Sequence, residues 1–297
     1  MPHYAQDSAP HRMNYRHAFH AGNHADVLKH VALLLLCDAL TAKPTPLFAL
    51  DTHAGAGVYR LDDHAARRTS EAVDGIGRLL NAPPADAGIK RYLDAIAACR
   101  AQHGDTAYPG SPWLLAHALR EQDRIACCEV REDDAEQLKR NFAQEPRLAA
   151  QARDGYAAMH ALLPPKIGAQ RFSRGLVLID PPYETQLAEF DTALRAMRDA
   201  LERWPQGCYA LWYPIKRRSA LMRFYRSAAA MSAKSALICE LLVRRDDSPL
   251  RMNGSGLLIL NAPWHFDTTL APSLHALQKA LGDPGASSRL EWLRAPT

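Results

Sequence analysis

The chain has 297 residues, 47% of them hydrophobic and 23% charged, with a formal net charge of +4 and a pI near 8.7. These proportions exclude disorder as the main state, and the length suits one large domain with an insertion or two domains. The mild basicity permits a polyanionic partner without demanding one.

The six cysteines form no C-x-x-C pair and lie mostly in apolar runs. They read as reduced, buried small hydrophobes of a cytoplasmic protein rather than as a disulfide scaffold. The first twelve residues contain no apolar core of a signal peptide. The most apolar stretch, residues 31–37, is too short to span a bilayer and is flanked by Lys29 and Asp38. No membrane partner is expected.

In chain order, a helix is expected over residues 25–42, closed by Pro44 and Pro46. A short apolar strand over 47–50 runs into Asp51 and the loop Thr52-His53-Ala54-Gly55-Ala56-Gly57. Residues 59–109 read as an inserted helical subdomain with no good strand. Strands follow over 125–128, closed by Glu129, over 149–153, closed by Asp154, over 175–180, and over 208–213. Two late strands, 236–244 and 256–260, are joined by a turn-rich stretch with no helix between them. The alternation predicts an α/β fold with a mostly parallel, Rossmann-like sheet, helices on both faces and a late antiparallel hairpin at one edge. That late reversal suits a methyltransferase sheet better than a plain dinucleotide-binding one.

Ligands of open α/β sheets bind beyond the carboxyl ends of the strands. Gly55 and Gly57 allow the loop after the first strand a sharp turn and close approach. The loop lacks the G-K-[ST] ending of a phosphate-binding loop and the third glycine of a dinucleotide fingerprint. Alone it is equally a structural turn. Glu129 is placed to accept from ribose hydroxyls, and Asp154, followed by Gly155, from an adenine amine or a ribose; each is otherwise a solvated strand-end acid.

Asp180-Pro181-Pro182-Tyr183 carries the strongest signal. Two prolines remove two amide donors, leaving the Asp180 carboxylate and backbone carbonyls as acceptors. An exocyclic adenine amine offers two N–H donors, and Tyr183 offers a ring for an extruded base. The bland alternative is a loop stiffened by its prolines. A similar tetrapeptide, Asn261-Ala262-Pro263-Trp264, is rejected because its strand runs backwards and delivers it to the opposite end of the sheet.

The runs YRHAFHAGNHADVLKH, LDTHAGAG, YPGSPW, LIDPPYE and ALWYP resemble those of the RlmJ-type bacterial 23S rRNA adenine-N6 methyltransferases, from Met13 onward. The resemblance implies a class I methyltransferase domain over 13–297 and S-adenosyl-L-methionine as cofactor. It implies cofactor contacts at Lys29, His30, His53, Ser111, Glu129, Asp154 and Gly155, catalysis by Asp180, and a substrate contact at Tyr15. The implied target is one adenine of 23S rRNA, adenine 2030 in the usual bacterial rRNA numbering, and the implied partner is 23S rRNA; the protein is expected to be a monomer. A DNA adenine methyltransferase and a non-catalytic RNA-binding relic of the same fold are the alternatives.

Residues 1–12 show no periodic pattern and are expected to be a dispensable extension before Met13. Residues 15–30 mix aromatic and basic side chains and are expected to form a lid. His20 and His24 have the spacing of a metal pair, but no companion ligand motif supports one, so no metal is expected. Basic residues cluster at Lys216, Arg217, Arg218, Arg223 and Arg226, with pairs at Arg67-Arg68, Lys90-Arg91 and Arg244-Arg245. The first cluster follows a strand end, where it can hold phosphates.

Overall fold

The computed structural model describes residues 19–63, 71–183, 186–250 and 252–296. The extension at 1–12, Met13, Tyr15 and the Arg67-Arg68 pair lie outside the described residues. In chain order come α1 (His24–Thr41), β1 (Phe48–Asp51), β2 (Val58–Arg60), a π-helical turn (Val73–Gly77) running into one α-turn (Arg78–Asn81), α2 (Ala87–His103), β3 (Ala107–Pro109), α3 (Ser111–Ala118), β4 (Arg124–Glu129), α4 (Glu132–Asn141) and β5 (Leu148–Ala152). Then follow α5 (Gly155–Leu162), the small hairpin β6 (Lys166–Ile167) and β7 (Gln170–Arg171), β8 (Gly175–Ile179), α6 (Gln186–Arg203), β9 (Cys208–Ile215), a 3₁₀ turn (Arg218–Leu221), α7 (Met222–Ala229), β10 (Ala236–Leu242), β11 (Gly254–Leu260), α8 (Phe266–Leu281) and β12 (Ser287–Arg294).

Eight of the described strands form one sheet in the order β12-β10-β11-β9-β8-β1-β4-β5. β5, β4, β1, β8 and β9 are parallel, and β11 runs against both β9 and β10. This is the Rossmann-like sheet of class I methyltransferases, with two reversed strands: β11, slotted between the forward β9 and β10, and β12, at the edge beside β10. The chain winds outward from β1 through β4 to β5, then restarts at β8, so the topological switch point lies between β1 and β8.

The core forms two apolar layers, one on each face of this sheet. Successive strand side chains point to opposite faces. Accordingly Ala49, Leu176 and Leu178 pack with α1, α2, α3 and α8, while Leu50, Val177 and Ile179 pack with α5, α6 and α7. α1 is apolar nearly all round because it is covered on nearly all sides, by α2, α3, α8 and β11. All six cysteines are buried and free. No described helix is long and apolar enough to cross a membrane.

Three expectations are corrected. The stretch 59–109 is not without strands: β2 and β3 pair antiparallel at its two ends. Three-residue strands are too short to show a readable alternation. The hairpin of β10 and β11 does not form the sheet edge, because β12 pairs with β10 and takes that place. β12 reads SSRLEWLR, and its charges suit an edge that must resist further pairing while hiding the strand from a hydrophobicity scan. The lid fails over its described part, residues 19–30. The Asn23 side chain accepts from the amides of Ala25 and Asp26, both at 2.9 Å, and starts α1 as a core helix. That same cap leaves His20 in the turn before the helix, where its Nδ1 sits 3.0 Å from Glu71 Oε2.

Candidate active site

A cleft opens at the carboxyl ends of β1, β4 and β8, beside the switch point. Lys29, His53, Gly55, Ser111, Glu129, Asp180 and Pro182 line it, together with Ala54, Tyr59, Gly110, Val130, Arg131 and Asp134.

The glycine loop is folded onto Glu129. Gly55 takes φ +56°, and a Cβ there would sit 2.0 Å from the Tyr59 hydroxyl, so no larger residue fits. Its amide donates to Glu129 Oε2 at 2.9 Å, and the Arg131 amide donates to Oε1 at 2.8 Å. Each oxygen keeps acceptor capacity for a ligand hydroxyl. Burial raises the pKa of Glu129, and the two amides partly offset this.

α1 brings a cation to the acids. Lys29 Nζ bonds Asp180 Oδ2 and lies 2.9 Å from Asp26 Oδ1, and Asp26 Oδ2 accepts from the Gly22 amide at 3.0 Å. Burial alone would discharge Lys29, but the two carboxylates outweigh it and hold its pKa well above the usual lysine value. Asp180 Oδ1 has no protein partner among the described residues. Asp51 ends β1 fully buried, and burial, with the Asp180 charge adding, pushes its carboxyl up to about 7. Ser111, Lys29 and the His53 amide pull the other way. The cleft therefore holds more carboxylates than cations.

His53 is neutral, because burial pushes its imidazole down to about 4. The single hydroxyl proton of Thr52 goes to the Leu178 carbonyl at 3.1 Å. Thr52 Oγ1 then accepts from His53 Nδ1–H at 2.7 Å, leaving Nε2 as the acceptor of the ring.

Other residues picked from the sequence stand outside the cleft lining. His30 is fully buried on α1, with Nδ1 3.1 Å from the Tyr108 hydroxyl. Gly57 takes φ +79° and packs on Phe142. Asp154 caps α5, its Oδ1 accepting from the Ala157 amide at 2.7 Å. Gly155 lets that helix approach β1: a Cβ there would lie 2.1 Å from the Thr52 carbonyl oxygen. Pro181 is buried. Tyr183 donates its hydroxyl to the Trp212 carbonyl at 2.8 Å, and its ring packs against Phe190 and Trp212. Tyr15 lies outside the described residues.

Sequence reasoning missed Asp26, Thr52, Tyr59 and Arg131 as members of the site. Asp26 sits three residues before Lys29 on one helix, a spacing that makes them neighbours and offered a signal for the pair. Tyr59 stands two residues after Gly57, and its hydroxyl accepts from the Ala56 amide at 3.2 Å, a local contact that the glycine pattern alone does not signal. Among the described residues no cluster of histidine, cysteine and carboxylate side chains is arranged to hold a metal ion.

A family model described as ribosomal RNA large subunit methyltransferase D, RlmJ, matches residues 44–294. The chain is 37% identical over 285 residues to the ribosomal RNA large subunit methyltransferase J of Haemophilus influenzae, covering 95% of this chain and 99% of that relative. It is 35% identical over 282 residues to the protein of the same name from Escherichia coli, covering 95% of this chain and 99% of the other. The solved structure of protein LPL1258 from Legionella pneumophila superposes with a TM-score of 0.81 at 31% identity, covering 92% of this chain and 98% of that one. The reversed β11, the cleft at the switch point and these matches agree, and the chain belongs to the RlmJ family of ribosomal RNA large subunit methyltransferases.

Proposed function

We propose that this protein methylates the N6 amine of an adenine in 23S rRNA, using S-adenosyl-L-methionine, with adenine 2030 the site implied by its family. The observation that carries the reading is the state of Asp180. Lys29 holds Oδ2, Oδ1 is left without a protein partner among the described residues, and two prolines follow directly.

Bound S-adenosyl-L-methionine supplies a methyl group on a positive sulfonium, already activated for transfer. The residues of the cleft fit such a group. Their surplus of carboxylates suits a cationic ligand, and Glu129 retains acceptor sites for two ribose hydroxyls. His53 Nε2 is an acceptor suited to an ammonium. Asp154 and Gly155, by capping and seating α5 against Thr52, set the wall on which His53 is mounted.

An aromatic amine is a poor nucleophile because its lone pair is delocalised into the ring. Asp180 Oδ1 accepts one of its N–H groups, and a carbonyl of the Pro181-Pro182 segment accepts the other. Both interactions favour a more tetrahedral nitrogen with an available lone pair, and Asp180 is placed to take the departing proton. The catalytic contribution is orientation and charge placement, both set before the substrate arrives.

The test is to incubate the full chain with methyl-labelled cofactor and separately with 23S rRNA, 16S rRNA and duplex DNA, then digest to nucleosides. Label recovered as N6-methyladenosine from 23S rRNA alone supports the reading. Label in DNA instead, or in a nucleoside other than N6-methyladenosine, overturns it.

A further inference from the structure

From Trp204 to Cys239 the chain carries no acidic residue, while Lys216, Arg217, Arg218, Arg223, Arg226 and Lys234 are basic. Five of these six lie within residues 216–226, a local charge larger than the net +4 of the whole chain. Such a run is ordinarily a solvated helix face whose charges are met by neighbouring acids, and the other basic pairs among the described residues behave in that way. Lys90 is 2.6 Å from Asp94, Arg245 is 2.8 Å from Asp247, and Arg91 and Arg244 face Asp38 and Asp283.

The 216–226 run differs. Two acids form ion pairs with it: Glu240, fully buried, takes Arg218 at 2.9 Å, and Asp191 takes Arg223 at 3.2 Å, while Asp246 accepts from the Arg218 amide at 2.8 Å and, with Asp247, lies beside Arg217. Lys216, Arg217 and Arg226 are exposed and have no ion pair among the described residues. α7 buries Phe224, Tyr225 and Ala228 against the sheet, so Arg223 and Arg226 face outward, beside Met222, which is 50% exposed.

The position of the run matters as much as its charge. β9 lies parallel to β8 with Leu211 level with Ile179, the residue before Asp180. It continues to Ile215, four residues further, about 13 Å at ~3.3 Å per residue. The basic run therefore begins at the carboxyl end of the sheet, the end that carries the cleft. A cationic surface with an apolar side chain among its charges suits a nucleic-acid backbone, whose phosphates it meets without reading sequence.

We propose that Lys216, Arg217 and Arg226 form a docking surface for RNA phosphates flanking the target adenine. The proposal rests on the RNA reading of the active site. Arg218 is excluded from the contact set because it is committed to the buried Glu240.

The experiment measures binding of transcribed 23S rRNA to the full chain as a function of salt, for wild type and for the triple variant Lys216→Gln/Arg217→Gln/Arg226→Gln. Each phosphate contact contributes about 0.7–0.9 to the slope of log affinity against log salt, so the slope should fall by about 2. The KM for rRNA should rise about tenfold, while kcat, S-adenosylhomocysteine affinity and melting temperature stay unchanged. A second variant, Lys90→Gln/Arg91→Gln/Lys279→Gln, removes the same charge elsewhere and should keep the wild-type slope. Equal slopes in all three proteins, or equal losses in both variants, overturn the docking surface. If wild type binds with the expected slope but transfers no methyl to rRNA, the proposed reaction fails while the surface stands; if methyl transfer is normal and the slopes do not differ, the surface fails alone.

Discussion

Asp180-Pro181-Pro182-Tyr183 and Asn261-Ala262-Pro263-Trp264 look alike on paper, and each ends a strand of the same sheet. Their surroundings share almost nothing. β8 runs forward and delivers Asp180 to the cleft, where its side chain is 13% exposed and held by Lys29. β11 runs backward and delivers Asn261 to the far end, beside the starts of β9 and β10. There the Asn261 amide group donates to the carbonyls of Pro205 and Gly207, at 3.0 and 2.8 Å, and accepts from the Lys234 amide at 2.8 Å. A side-chain amide can donate and accept, so it ties three loop groups together, whereas a carboxylate only accepts. Asn261 also takes φ +54°, a conformation asparagine tolerates better than most residues. Strand direction, rather than local sequence, decides which tetrapeptide can act on a ligand and which one closes a turn.

The sharpest way to break this comparison is to remove each side chain. Asp180→Ala should lower methyl transfer by a factor of about a thousand, ~4 kcal/mol of barrier, with cofactor affinity largely kept. Single-turnover kinetics and calorimetric titration with S-adenosylhomocysteine measure the two, and turnover within tenfold of wild type would remove Asp180 from the chemistry. Lys29→Met should cost roughly 3 kcal/mol of stability, because Asp26 and Asp180 are left buried without their cation. Adding Asp26→Asn to that variant should recover part of the loss in urea denaturation. No recovery would mean that the Lys29–Asp26 pair contributes no charge compensation.

Asn261→Ala should do the reverse of Asp180→Ala. Three hydrogen bonds and a favourable left-handed residue are lost, about 2 kcal/mol of stability, while the folded protein transfers methyl at the wild-type rate. A large drop in kcat would show that the far end communicates with the cleft.

The two ends also differ in their response to pH. Burial raises Asp51 from 3.8 to about 7, so the folded protein holds a proton there that the unfolded chain releases. Its stabilising contribution is complete below pH 3.8 and is lost as pH rises through about 7. Asp51→Asn should therefore gain on wild type as pH rises across that window, by at most ~1.4 kcal/mol per pH unit. The deficit of Asn261→Ala should be flat over the same range, since no group that titrates there is involved. Parallel unfolding curves at pH 5, 6 and 7 would show either pattern.

Much of this was readable before any fold. Apolar runs of five or so residues separated by helical periods report strands and helices directly, because burial repeats every two residues on a strand and every three or four on a helix. Acids and glycines at the ends of those runs named Gly55, Glu129 and Asp180 as cleft residues, since a parallel sheet delivers its strand ends to one edge. His53 and Ser111 came from family likeness alone. The tertiary structure alone decided the rest. Lys29 meets Asp180 across 151 residues, and the Gly110 amide, from the far side of the insertion, donates to the Gly57 carbonyl of the glycine loop at 2.9 Å where β2 pairs with β3. β12 exists as a strand only because β10 presents an edge to it. Periodicity is a property of neighbours a few residues apart. A buried ion pair, a strand's direction and a strand's partner depend on segments that the chain brings together only by folding.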